Sequence, residues 1–183
     1  MDQLIAKQIG YSLSGHDIHE LTHNKCNVIG YPDLLNRFSS LQQAMGEHKA
    51  VVILYETKDK IAPDGERDVY GHWVCIFEIA PGVAEFFDSY GIRVDDELKF
   101  ISPEYAFETK QMGRLTDLIK ASPYRVVYNK VRLQTKGKAI ETCGRWVALR
   151  LRWRQTPLAD FQRLFVEGKK MTPDEYVTTL TLL

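Results

Sequence analysis

Three apolar runs in the middle of the chain constrain what it can fold into. "AVVILYE" (50–56) is apolar up to its last residue. "YGHWVCIFEI" (70–79) is nearly as apolar, and "AEFFDSYG" (84–91) follows after a Pro81-Gly82 turn. Runs of this length, rich in Val, Ile, Phe and Tyr and bounded by turn formers, read as strands. An unbroken apolar strand has to be buried, so the rest of the chain must cover it. "NVIGYP" predicts a short strand stopped by Pro32. "PDLLNRFSSLQQAM" predicts a helix with Leu34, Leu35, Phe38, Leu41 and Met45 on one stripe. Residues 58–68 read as a polar loop with a Pro-Asp-Gly turn, "TKQMGRLTDLIKAS" as a helix, and "YRVVYNKVRLQ" (124–134) as a further strand. After the "TKGKAIE" loop, Thr142 is expected to cap a helix over "CGRWVALRLRWR", with Trp146, Val147, Arg150 and Leu151 along one side. Thr156-Pro157 opens another helix, and Thr172 with Glu175 forms a capping box for the last. The sum is an α+β fold, one domain over 1–183, with a sheet in the middle and helices packed around it.

The bulk numbers agree with that reading. A chain of 183 residues with 44% hydrophobic and 26% charged residues suits a soluble domain with a real core. No apolar run is long enough to span a membrane, and "MDQLIAKQIGYSLSG" lacks a signal-peptide pattern, so an intracellular protein is expected. Three cysteines, Cys26, Cys75 and Cys143, are too few and too scattered for a disulfide framework and leave room for a reactive thiol. Net charge is zero, yet residues 125 to 170 hold twelve Lys/Arg against three Asp/Glu. That portion reads either as a solvated basic face or as a surface for nucleic acid or an acidic partner.

"HELTH" (19–23) spells the zinc-protease pattern His-Glu-x-x-His. Such a site needs a third ligand and a rigid, dry helix. Here the segment is polar, and Asn24, Lys25 and Cys26 end it. It therefore reads as the exposed face of a short helix capped by Ser14. His16, His19 and His23 share that face and, with Cys26, leave an adventitious metal cluster as the other reading.

A second set of residues carries more chemistry. Alternation along 70–79 puts His72, Val74 and Ile76 on one face and Gly71, Trp73, Cys75 and Phe77 on the other. Asp88, sixteen residues on, closes the next strand, where a carboxylate can fix the tautomer of an imidazole and stabilise its cation. Cys143 falls in the first turn of a predicted helix, where the dipole and unpaired N–H groups favour a thiolate and can hold an oxyanion. Gly144 would let a substrate carbonyl approach the backbone. Gln134, nine residues before Cys143, offers an amide donor to the same oxyanion. Each has a plainer reading: His72 as a satisfied core histidine, Asp88 as a turn former with Ser89 and Gly91, Cys143 as a buried structural thiol, Gln134 as a surface side chain.

"GHWVCIF", "FFDSYG", "VRLQ" and "ETCGRWVAL", in this order, together resemble the adenovirus-type maturation cysteine proteases. The likeness is closest to the versions found in virophages, Maverick/Polinton elements and large DNA viruses, in a clan that also holds the ubiquitin-like-protein proteases. "CNVIGYPDL" and "DDELKFIS" look like that viral subgroup too. The resemblance spans roughly residues 14 to 155 and implies a cysteine protease fold with the nucleophile at a helix N-terminus. It implies His72 as general base, Asp88 as its orienting carboxylate and Cys143 as nucleophile. It also implies Gln134 with the Cys143 N–H as oxyanion hole, and Trp73 and Gly144 beside the substrate. No metal or cofactor is implied for the chemistry, while DNA or a viral peptide is an implied activator. Implied substrates are capsid or core precursors, cut beside small residues, by a monomer working in the virion and the infected cell. The Gln134 to Cys143 interval is longer than the family's usual six or seven residues, because of "TKGKAIE". A protease acting on ubiquitin-like modifiers would use the same catalytic set.

Overall fold

A computed structural model describes residues 3–61, 65, 67–137, 139–167 and 170–183. The three apolar runs form the heart of a sheet. β1 (Asn27–Gly30), β2 (Ala50–Ile61), β3 (Arg67–Ala80), β4 (Val83–Phe87) and β5 (Arg125–Tyr128) lie side by side in chain order. The two outer pairs, β1 with β2 and β4 with β5, run parallel, whereas β2–β3 and β3–β4 are antiparallel. The sheet is therefore mixed, and helices cover both of its faces.

The alternation of β2 divides the core. Ala50, Val52 and Leu54 join Trp73, Cys75, Phe77 and Phe87 on one face. They pack under α2 (Gly15–Leu21), α7 (Cys143–Arg152), α8 (Leu158–Val166) and α9 (Pro173–Leu180), while α1 (Gln3–Ile9) lies against α9. Val51, Ile53 and Tyr55 join Val74, Ile76, Ala84 and Phe86 on the other face. There α3 (Asp33–Asn36), α4 (Leu41–Met45), α5 (Pro103–Glu108) and α6 (Arg114–Ala121) cover them. Burial of both faces explains why β2 and β3 show no polar alternation. The α+β class with a central mixed sheet stands as expected.

Several predicted boundaries move. The helix expected over 32–45 is two helices, because Ser40 caps α4 by accepting from the Gln43 N–H and Ser39 binds the Gln43 side chain. Leu35 consequently leaves the stripe and is exposed. The polar loop expected over 58–68 is shorter, since β2 runs to Ile61 and β3 starts at Arg67; most of its Pro-Asp-Gly turn lies outside the described residues. β4 stops at Phe87, and β5 pairs only as far as Phe86↔Tyr128, so 129–134 is loop rather than strand. Thr142 precedes α7 without capping it: its hydroxyl donates to Asp174 instead, at 2.5 Å.

Gly71 sits where β2 and β3 bulge, between Glu56 and Lys58. A Cβ there would lie 1.8 Å from the Tyr55 carbonyl oxygen. Gly71→Ala must therefore displace backbone next to His72. It is expected to cost about 3 kcal/mol in a urea unfolding titration. A loss below about 1 kcal/mol would show that the bulge yields without strain.

Candidate active site

His72 lies on β3 beyond the last β3–β4 pair, Cys75↔Phe87. Phe86 and Asp88 point to the same side of the chain as His72, so the end of β4 delivers a carboxylate to the imidazole. Asp88 Oδ2 is 3.1 Å from His72 Nε2, and both side chains are buried. The carboxylate is itself held: its Oδ1 accepts from the Tyr90 N–H at 2.6 Å. The Asp88 carbonyl accepts from the Asn129 amide. Tyr90 stacks on the His72 ring at a centroid distance of 4.8 Å, fixing its plane.

Cys143 is the first residue of α7, at the N-terminus that the sequence pattern predicts. Its thiol lies close enough to His72 to raise the pKa of the imidazole. Since Nε2 is taken by Asp88, Nδ1 is the ring nitrogen left for a second partner. Burial pulls the His72 pKa down, yet Asp88, by charge and hydrogen bond, and Cys143 together hold it well above the ordinary histidine value. The structure thus brings His72, Asp88 and Cys143 together at one buried place. The plain reading of Asp88 as only a turn former does not survive the 3.1 Å contact.

Gln134 is buried rather than a surface residue. Its Oε1 accepts from the Ser89 hydroxyl at 2.7 Å, and its Nε2 points at the Ile140 carbonyl, 3.4 Å away and three residues before Cys143. The long interval back to Cys143 is bridged by Asp174. It accepts from the Thr135 N–H, the Thr142 hydroxyl and the Trp146 indole, and so draws the loop onto the start of α7. Asp174, Tyr90 and Asn129 were not expected from sequence; each acts through tertiary contact that local pattern does not carry.

Trp73 is buried, and its indole donates to the Leu13 carbonyl at 3.0 Å. The close approach that Gly144 permits is made by protein. A Cβ there would lie 2.9 Å from the Leu13 Cβ and 3.3 Å from Trp73. The side of Gly144 where a Cβ would stand is thus taken by Leu13 and Trp73. The open space lies alongside, in a cleft of about 730 Å³ lined by Tyr11, Ser14, Gly71, Trp73 and Glu141.

The HELTH histidines form no comparable arrangement. α2 ends at Leu21 and His23 has φ 55°, which turns it off the face of His16 and His19. Cys26 is buried against the Thr22 hydroxyl. Among the described residues, no His, Cys, Asp or Glu group around HELTH has three potential ligand atoms within 4.8 Å of one another.

Fold and site together define an α+β protein with a buried thiol, imidazole and carboxylate at the end of a mixed sheet. No protein-family model matches the sequence. The chain is 34% identical over 176 residues to uncharacterized protein V9 of the Sputnik virophage, covering 93% of this chain and 94% of V9. It belongs to the family of that virophage protein. In structure it is similar to ChlaDub1 from Chlamydia trachomatis, at 13% identity and a TM-score of 0.39, over 98% of this chain and 87% of that one. No described helix is long and apolar enough to cross a membrane.

Proposed function

We propose that the protein is a cysteine endopeptidase of the adenovirus-type maturation family that cuts capsid or core precursors of its own virus. The observation that carries the reading is the His72–Asp88 contact with the Cys143 thiol near enough to act on the same imidazole. Its kinship with a virophage protein supports a viral setting, in the virion and the infected cell.

The chemistry follows from the geometry. Cys143 passes its proton to His72 Nδ1, and the sulfur attacks a peptide carbonyl, forming a C–S bond. The resulting oxyanion meets the Cys143 N–H, which has no helical partner at this position, and the Gln134 amide. Collapse breaks the C–N bond as His72 protonates the leaving amine. Water, deprotonated by His72, then attacks the thioester and frees Cys143. Asp88 keeps Nδ1 facing sulfur throughout. Trp73 borders the cleft that would take the peptide. These steps need no metal or cofactor, and the protein acts as a monomer.

DNA or a viral peptide remains the proposed kind of activator. The basic region narrows as a DNA surface, because Arg145 and Arg150 are buried with internal partners.

Co-expression with the capsid proteins of the same genome tests the reading, with fragments identified by mass spectrometry. Discrete fragments are expected with the wild type and none with Cys143→Ala. Identical fragments from both would overturn it. Cleavage of ubiquitin-like conjugates, with capsid proteins left intact, would move the activity to modifier removal.

A further inference from the structure

A second carboxylate reaches the His72–Asp88 pair. Glu97 lies in a 3-10 turn (Asp96–Phe100) on the crossover between β4 and β5, and its side chain is buried. Side-chain atoms of His72, Asp88 and Glu97 all fall within 4.8 Å of one another. Glu97 Oε2 is buried and, among the described residues, has no hydrogen-bond partner. A buried carboxylate oxygen without a partner is costly and needs an account.

The turn that carries it is anchored to the sheet. Asp95, two residues earlier, adopts a left-handed backbone with φ 62°. Its Oδ1 accepts from the hydroxyls of Tyr31 at 2.7 Å and Tyr55 at 3.0 Å, and its Oδ2 accepts from the Thr116 N–H. The Asp95 N–H donates back to Tyr55. Two buried tyrosines thus fix the segment that points Glu97 at the site.

We propose that Glu97 is a positioning residue for His72, a second counter-charge that stabilises its imidazolium beside Asp88. This deepens the peptidase reading and rests on it for its meaning. In that reaction the imidazolium forms each time Cys143 gives up its proton, and it then stands between two carboxyl groups. The orphaned oxygen gains its partner charge at that moment. Burial raises the Glu97 pKa and the nearby Asp88 adds to this, while the His72 charge and Lys136 oppose it. The groups facing the pair are Asp88 from the end of β4, Cys143 from α7, Tyr90 from the turn after β4, and Lys136 from the loop before α7.

The test is the titration of His72 by NMR in protein labelled at histidine. It needs no substrate, so it stands or falls apart from the peptidase reading. Glu97→Gln is expected to lower the His72 midpoint by about one pH unit, because it removes an opposite charge at close range. Glu97→Asp is expected to restore part of that shift. An unchanged midpoint with a lowered Tm would reduce Glu97 to a structural role and overturn the proposal. A midpoint that rises in Glu97→Gln, matched by a rise in the wild type when EDTA is added, would assign the oxygen to a bound cation and overturn it equally. In the wild type, the Glu97 carboxyl carbon is expected to titrate below His72. If it stays uncharged where His72 loses its proton, the proposal fails even without a folded variant.

Discussion

Cys143→Ala is expected to lower kcat on a cleaved precursor by on the order of 10⁶-fold, and iodoacetamide at neutral pH is expected to label Cys143 alone. All three thiols are buried, so exposure does not distinguish them. Their surroundings do. Burial pushes the Cys75 thiol well above its usual range, and the neighbouring Glu85 adds to this. Burial likewise raises Cys26, against a smaller opposing hydrogen bond from Thr22. Neither has an imidazole to take its proton, whereas Cys143 has His72. The same logic sets the pH profile. His72 has its folded pKa raised above 6.5, so its imidazolium is kept above that pH and is lost only as pH rises through the raised value. The alkaline limb of kcat/KM should therefore lie above the ordinary histidine range. Asp88→Asn removes the main raising cause and frees the ring to present the wrong nitrogen, which should cost on the order of 10⁴-fold in kcat. Equal labelling of all three cysteines, or an active Cys143→Ala, would end the thiol reading.

Most of this site is legible in the sequence because its parts sit on regular elements. His72 is a polar residue in an otherwise apolar stretch of β3, Asp88 directly follows the last residue of β4, and Cys143 opens the buried helix α7. Period and turn chemistry put each on or beside its element, and the order of the motifs, through the family resemblance, singles them out as a set. What is not legible lies off the regular elements. Glu97 is in a 3-10 turn, with no periodic pattern to aim it, and two tyrosines distant in sequence hold it in place. The Val- and Tyr-rich run at 124–134 suggests a longer strand than forms. Its parallel partner β4 is only five residues long, and past Tyr128 the Asn129 side chain bonds to Val131 and to the Asp88 carbonyl instead. Gln134 is thereby delivered from a loop. HELTH misleads for a related reason: its spacing counts residues, but His23 stands after the helix has ended.

The same limit applies to charge. In the sequence Arg150 is one of a run of basic residues, but in the structure it is part of the core. Its guanidinium makes a two-pronged pair with Glu85, at 2.7 and 2.8 Å, and donates to the carbonyls of Trp153 and Thr156. Phe77 and Phe161 stand over it at 5.3 and 5.0 Å. Both charges are 1% exposed, so neither can be hydrated if the other is removed. Glu85→Gln is accordingly expected to destabilise the protein by about 3–5 kcal/mol, read from the urea midpoint. Such a loss does not mean that the pair itself stabilises by that amount, since desolvation offsets most of its attraction. Combining Glu85→Leu with Arg150→Met removes both charges and keeps the volume, and should return the midpoint to within about 1 kcal/mol of wild type. If the single change costs less than about 1 kcal/mol, the pair behaves as a surface contact and its place in the core is wrong. If the double variant stays as unstable as the single one, the guanidinium's bonds to Trp153 and Thr156 dominate. In that case Arg150 matters chiefly as the clamp between α7 and the turn into α8.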